Sequence, residues 1–213
     1  MDLEWWPLFG LRIRTPRIEL RPLVDADIDE YAALLDGGLH PPDEMPFAVP
    51  FTDQPRPVLQ REACQFHWGT RAGWRPDGWR LPFMVFEGGR MIGQQDLAAD
   101  QFAVRRVVTT GSWLGLPHQG QGIGTEMRSA VLHLAFAGLG ADRAETEAFA
   151  DNARSIGVTT KVGYQANGER ITVRRGRPTV SPQFVLTRER WEATRRDDIA
   201  IEGLDRAREM FGA

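Results

Sequence analysis

The chain has 213 residues, enough for one domain and too few for two large ones. Its 42% hydrophobic, 26% charged and 9% aromatic content suits a globular protein with a sizeable core and excludes a disordered or collagen-like chain. A net charge of -3 with a pI near 5.9 gives no general basis for binding nucleic acid, no apolar run approaches the roughly 18 residues of a membrane span, and the single cysteine, Cys64, excludes an intrachain disulfide.

The start, Met1-Asp2-Leu3-Glu4-Trp5-Trp6, is acidic and lacks the basic stretch of a secretory signal, so the expected location is the cytoplasm. Residues 1–13 read as an aromatic arm whose Trp5 and Trp6 either seal an interface or fold over the protein's own core. Ile18 to Leu23 alternates apolar and polar residues and stops at a proline, which predicts a short edge strand. A helix follows, with Asp25 as its cap, Ile28, Tyr31, Ala32 and Leu35 as its apolar stripe, and Gly37-Gly38 as its stop. The segment His40 to Pro57 holds six prolines, which predict a long loop, either a lid or a plain connection.

Pro57 suits the first turn of a second helix carrying Leu59, Ala63, Phe66 and Thr70 at helical spacing, and Trp68, Trp74 and Trp79 are expected to pack around its end. Leu81–Phe86 and Met91–Leu97 flank Glu87-Gly88-Gly89-Arg90 as a hairpin, and Val107–Leu114 adds a strand. From Thr125 to Ala137 the pattern turns helical, with Met127, Ala130, Val131, Leu134 and Ala135 on one face. Strands then follow at Arg143–Phe149, Tyr164–Val173 and Gln183–Thr187, with a helix at Asn152–Val162. The tail 192–213 is expected to add a strand or short helix. The order implies an α/β (α+β mixed) fold, a single domain whose mixed sheet has helices against it.

Gln119-Gly120-Gln121-Gly122-Ile123-Gly124-Thr125 sits between a strand and a strongly patterned helix. Glycines there expose consecutive N–H groups and the helix contributes its positive end, which favours an anion, most naturally a pyrophosphate, although a plain glycine-rich turn would read the same way. A Walker loop needs Gly-Lys-Ser/Thr, and no lysine is present here; Lys161 is the only one in the chain. A dinucleotide fingerprint needs Gly-x-Gly-x-x-Gly, and Gly120-x-Gly122 is followed by Thr125 and Gly122-x-Gly124 by Met127.

The loop resembles the pyrophosphate loop of the GNAT superfamily of acyl-CoA-dependent N-acyltransferases, Gln/Arg-x-x-Gly-x-Gly/Ala, with Gln119, Gly122 and Gly124 in the three positions. Downstream, Asn152-Ala153-Arg154-Ser155 and Lys161-Val162-Gly163-Tyr164 resemble the Asn-x-x-Ser…Lys-x-Gly-Phe/Tyr block of the RimJ/RimL-like branch. Gly111-Ser112-Trp113-Leu114 resembles the end of that family's fourth strand, with Ser112 where an aromatic is usual. Thr15 to Arg21 resembles its first strand and Arg188-Glu189-Arg190-Trp191 its ending, so the likeness covers about residues 14–191 and leaves the arm and tail outside.

The resemblance implies a single GNAT-like domain with a mostly antiparallel sheet, one parallel strand pair that splays apart, and helices on both faces. It implies acyl-CoA, either acetyl-CoA or succinyl-CoA, as co-substrate and a primary amine, on a small molecule or a protein, as acceptor. By the same likeness the thioester arm lies along the backbone of Trp113, Leu114 and Leu116, an N–H near Leu114 polarises the acyl carbonyl, and Gln119, Gly120, Gln121, Gly122, Ile123, Gly124 and Thr125 hold the pyrophosphate. Asn152 and Ser155 share a helix face toward pantetheine, and Ser155 or a water protonates the departing thiolate.

The acceptor amine must lose a proton before it attacks, and Asp96, Glu145 and Glu147 are the candidate bases, with Asp96 preferred. Asp43 and Glu44 in the proline-rich loop are candidates for attracting a cationic acceptor. His40, His67, His118 and His133 have no ligand spacing with carboxylates, so no metal is expected. Cys64 matches no nucleophile motif, which favours direct attack in a ternary complex over an acyl-enzyme. The alternative is a non-catalytic acyl-CoA sensor or partner-binding module. The acceptor and the oligomeric state, homodimer or otherwise, stay open.

Overall fold

The computed structural model describes residues 4–213, so Met1, Asp2 and Leu3 of the arm lie outside the described residues. The first half holds β1 (Arg12–Arg14), β2 (Ile18–Pro22), α1 (Ile28–Asp36), α2 (Val58–Ala72), β3 (Gly78–Glu87) and β4 (Arg90–Asp100). A short α3 (Phe102–Arg105) leads to β5 (Val107–Leu114), α4 (Ile123–His133), β6 (Arg143–Glu147) and α5 (Ala153–Lys161). The chain ends with β7 (Gln165–Arg174), β8 (Arg177–Thr187), α6 (Arg188–Thr194), β9 (Ala200–Glu202) and α7 (Leu204–Ala207).

The strands form one sheet in the order β7-β8-β6-β5-β4-β3-β2-β1-β9. Every neighbouring pair is antiparallel except β5 and β6, whose parallel arrangement needs a crossover, supplied here by α4. That pair is bonded only over Val107–Thr109 against Arg143–Glu145. Beyond it the strands part, and the Thr146 hydroxyl reaching the Thr110 carbonyl at 2.9 Å spans the start of the gap. On its other edge β5 stays paired with β4 as far as Leu114. At the β3–β4 hairpin, Gly88 and Gly89 hold φ of +57° and +79°, the left-handed pair a tight type I′ turn requires.

Alternation along β3 supplies both faces of the sheet. Leu81, Phe83 and Val85 join Met127, Val131 and Leu134 in one core, while Met84 and Phe86 join Tyr31, Leu35, Leu59 and Ala63 in a second. The helix α4 therefore covers one face, and α1 with α2 the other.

Three expectations are corrected. β2 is an interior strand, flanked by β1 and β3: the arm supplies a three-residue partner, Arg12–Arg14, that pairs with Leu20 and Glu19 and stops short of Pro22. Trp68 does not join the indole cluster; it is 46% exposed and donates to Asp25, because it lies on the outer side of α2. Asp25 does not cap α1: its carboxylate bonds Arg71 at 2.6 Å, and it is Asp27 that closes the 3-10 turn ahead of α1 by accepting from the Val24 N–H at 3.0 Å.

Arm and tail meet each other. β9 adds to the sheet edge beside β1, and Phe211 is buried against Trp74 and Trp79, with centroids 5.4 and 4.9 Å away. Both indole N–H groups donate to tail carbonyls, Trp74 to Met210 at 2.8 Å and Trp79 to Phe211 at 3.1 Å. Trp6 packs edge-on against Trp74, and Trp5 stays exposed. Among the described residues no helix is long and apolar enough to cross a membrane.

Candidate functional site

At the end of β5 the chain turns through Leu116–His118 into the glycine loop and then α4. Gly120 and Gly122 hold φ of +75° and +82°, and a Cβ on either would meet open space, so the backbone conformation is what calls for glycine. Among the described residues no group accepts a hydrogen bond from the N–H of Gly120, Gln121, Gly122, Ile123 or Gly124. Five successive free amides lie where an 11-residue helix starts, a setting that favours an anion.

This loop forms one end of a cleft of about 380 Å³. Of the residues singled out from sequence, Trp113, Leu114, Gln119, Gly120, Gly122, Gly124, Thr125, Asn152 and Ser155 line it. Leu116, Gln121 and Ile123 do not. The Leu116 N–H is bonded to the Gly38 carbonyl, the Gln121 amide turns back to Pro117 at 2.8 Å, and the Ile123 side chain is fully buried in the core. Gln119 spends its amide on structure: Nε2 donates to the Leu39 and Leu114 carbonyls, each at 2.8 Å, and ties the strand end to the following loop. Asn152 caps α5, its Oδ1 accepting from the Ser155 N–H at 3.0 Å, which aims the first turn of that helix into the cleft.

A second cavity of about 660 Å³ opens on the other side of the sheet's parting. It is lined by all three candidate bases, Asp96, Glu145 and Glu147, together with Arg80, Thr146 and Arg170. Asp96 accepts from Arg80 at 3.0 Å and from Gln94 at 2.7 Å. Burial pushes its carboxyl above the usual carboxylate range, against the opposing pull of those two donors. Glu147 is bonded to Arg170 and Gln183, both at 2.7 Å, and Glu145 pairs with Arg143 at 3.2 Å.

Cleft and cavity share a wall made of Ser112, Trp113, Arg128, Asn152 and Ser155, under Pro46 and Phe47 of the proline-rich loop. That loop therefore covers the junction. It is held by Arg154 against Glu44, by Arg175 against Asp53 at 2.5 Å, and by Arg174 on the Met45 carbonyl at 3.3 Å. Asp43 and Glu44 lie apart from the candidate bases, facing Arg174, Arg175 and Arg177.

Two residues of the site escaped sequence reasoning. Lys161, named above only as the sole lysine and as part of the Lys-x-Gly block, closes α5 and also lines the cleft. Arg128 is 2% exposed and lines both cavities. The available signal was a cation within an apolar helix stripe, three residues before Val131 and four before Leu132, both buried. Cys64 is buried in α2 and lines neither space.

Residues 17–165 match the family model described as an acetyltransferase (GNAT) domain. Among solved structures, the chain is similar to Mycobacterium smegmatis RimJ in complex with CoA-disulfide, with a TM-score of 0.68 and 19% identity over 95% of this chain and 94% of that one. It is also similar to the Salmonella typhimurium acetyl transferase that modifies the N-terminal serine of 50S ribosomal subunit protein L7/L12, at a TM-score of 0.65 and 18% identity, covering 81% and 96% of the two chains. A RimL ribosomal L7/L12 alpha-N-protein acetyltransferase in complex with coenzyme A matches at 0.64 with 16% identity, over 81% and 95%. At such identities these likenesses speak for the fold.

Proposed function

Because the chain belongs to the acetyltransferase (GNAT) domain family, we propose that it moves an acyl group from acyl-CoA to a primary amine by direct attack in a ternary complex. The observation that carries this reading is the meeting of an unpartnered amide loop with a carboxylate-bearing cavity across the Ser112–Ser155 wall. The N–H groups from Gly120 to Gly124, with Thr125, hold the pyrophosphate; Gln121 and Ile123 contribute backbone only, and Leu116 takes no part because its N–H is already bonded. The thioester arm runs beside Trp113 and Leu114 along the unpaired edge of β5, with Asn152 and Ser155 opposite.

The acceptor enters from the larger cavity as an ammonium and gives a proton to Asp96. The neutral nitrogen attacks the thioester carbon, forming the C–N bond. An N–H near Leu114 steadies the oxyanion, an effect of roughly 3–4 kcal/mol for one good donor. The nitrogen, now carrying a surplus proton, gives it to solvent, collapse breaks the C–S bond, and the thiolate takes a proton from the Ser155 hydroxyl, which regains one from solvent, or from water directly. Acetyl is the donor the family description supports. A protein N-terminus is the acceptor supported by the ribosomal-protein enzymes of similar fold, and a small-molecule amine is the alternative.

Calorimetric titration with acetyl-CoA, succinyl-CoA and free CoA, followed by thiol-release assays with peptide and polyamine acceptors, tests the proposal. The expected result is CoA binding with release of one thiol per amine acylated. Absence of any CoA binding overturns it. Binding without turnover on every amine supports the sensor reading instead.

A further inference from the structure

Arg128 projects from α4 into the parting of the sheet and is almost wholly buried there. A guanidinium carries five N–H donors and a charge that burial disfavours unless an anion answers it. Its recorded partners are all polar groups without a formal charge: Nε reaches Gln95 Oε1 at 3.4 Å, Nη1 reaches Thr146 Oγ1 at 3.4 Å, Nη2 reaches Ser112 Oγ at 3.0 Å, and the buried Tyr164 hydroxyl is a fourth neighbour. Among the described residues no carboxylate pairs with it. The three acids of the neighbouring cavity each have another cation: Asp96 has Arg80, Glu145 has Arg143 and Glu147 has Arg170. Two of the Arg128 bonds are long, at 3.4 Å, and none is to a charged acceptor. The group is set for an anion that the chain itself does not supply.

Resting on the acyltransferase reading above, we propose that Arg128 receives a carboxylate at the free end of the acyl group, so that the donor is a dicarboxylic acid joined to CoA through one carboxyl. Arg128 lines the cleft beside Trp113 and Leu114 as well as the acceptor cavity, so it stands at the junction where the acyl group lies in that reading. A planar guanidinium offers two parallel N–H groups to a carboxylate, a geometry neutral acceptors do not use fully. Ser112, with its short side chain, adds a hydroxyl at the same point.

The test is calorimetric titration of acetyl-CoA, succinyl-CoA and free CoA into the wild-type protein, Arg128→Met and Arg128→Lys, each checked for a cooperative thermal transition. In the wild type, succinyl-CoA is expected to bind at least tenfold tighter than acetyl-CoA, about 1.4 kcal/mol. Arg128→Met should bring that ratio close to one, and Arg128→Lys, which keeps the charge and loses the fork, should leave it between the two. If Arg128→Met fails to fold, the lysine variant carries the test. A wild-type ratio near one overturns the proposal while leaving acyltransfer intact, as does a preference for succinyl-CoA that survives both substitutions, or an equal loss of all three ligands. No binding of any CoA species overturns the acyltransferase reading together with this one.

Discussion

In the proposed mechanism Asp96 acts as a base from a position that disfavours its charge, and Arg80 and Gln94 are what keep the carboxylate within reach. Replacing it by asparagine should lower kcat/KM by about 10²- to 10⁴-fold and remove the acid limb of the pH profile. In the wild type that limb should lie above the ordinary carboxylate range, since burial raises the pKa. Arg80→Met should move it to still higher pH, because loss of the cation further disfavours the carboxylate; a limb that stays in place would assign the titration to another group.

His67 is a second buried titratable group. Burial, reinforced by Arg71, holds its imidazole neutral and lowers its pKa from 6.5 to about 4. The folded state thus binds the proton less readily than the unfolded one. His67 supports the fold fully above pH 6.5, and as pH falls toward 4 that support, about 3 kcal/mol, is lost. Urea unfolding midpoints from pH 7 to 4 should therefore fall more steeply for the wild type than for His67→Leu. Among single residues, Asp96 was legible from strand position and chemistry. Arg128 was not, since whether a helical arginine turns to solvent or into a sheet depends on what the sheet does beneath it.

At the scale of elements, the wall between β4 and β5 is set by a glycine. A Cβ at Gly93 would stand 2.5 Å from the Trp113 carbonyl oxygen and 2.6 Å from Leu114 Cδ2, the wall beside the cleft. Gly93→Ala should destabilise by about 1–3 kcal/mol and weaken CoA binding together, measured by urea unfolding and calorimetry. An unchanged CoA affinity would show that the cleft tolerates a shift of β5. The helices and the hairpin were readable because their signals are local: period, caps, and two glycines in a turn. β2 was misread as an edge because its partner β1 comes from an arm of only three paired residues, too short to show a pattern of its own.

Across the whole molecule the two ends close on each other, and the tail carries core as well as edge. Phe211 is fully buried edge-on to the two stacked indoles, so Phe211→Ala should cost about 3–5 kcal/mol in urea unfolding, a core-sized loss from a residue near the chain end. A loss below 1 kcal/mol would mean that the tail docks without contributing to the core.

The sequence by itself determined the α/β class, the glycine loop before α4 and the family, because each rests on spacing within a short window or on motifs in order; the mostly antiparallel sheet with one parallel pair came with the family resemblance those motifs carry. Tertiary structure alone decided how far β5 and β6 stay paired, where the proline-rich loop lies, which carboxylates the paired arginines answer, and that Arg128 is buried without one. Those outcomes depend on charges and backbone groups brought together from six or more separate elements, and no local pattern encodes which of 25 arginines will be buried at the parting of a sheet.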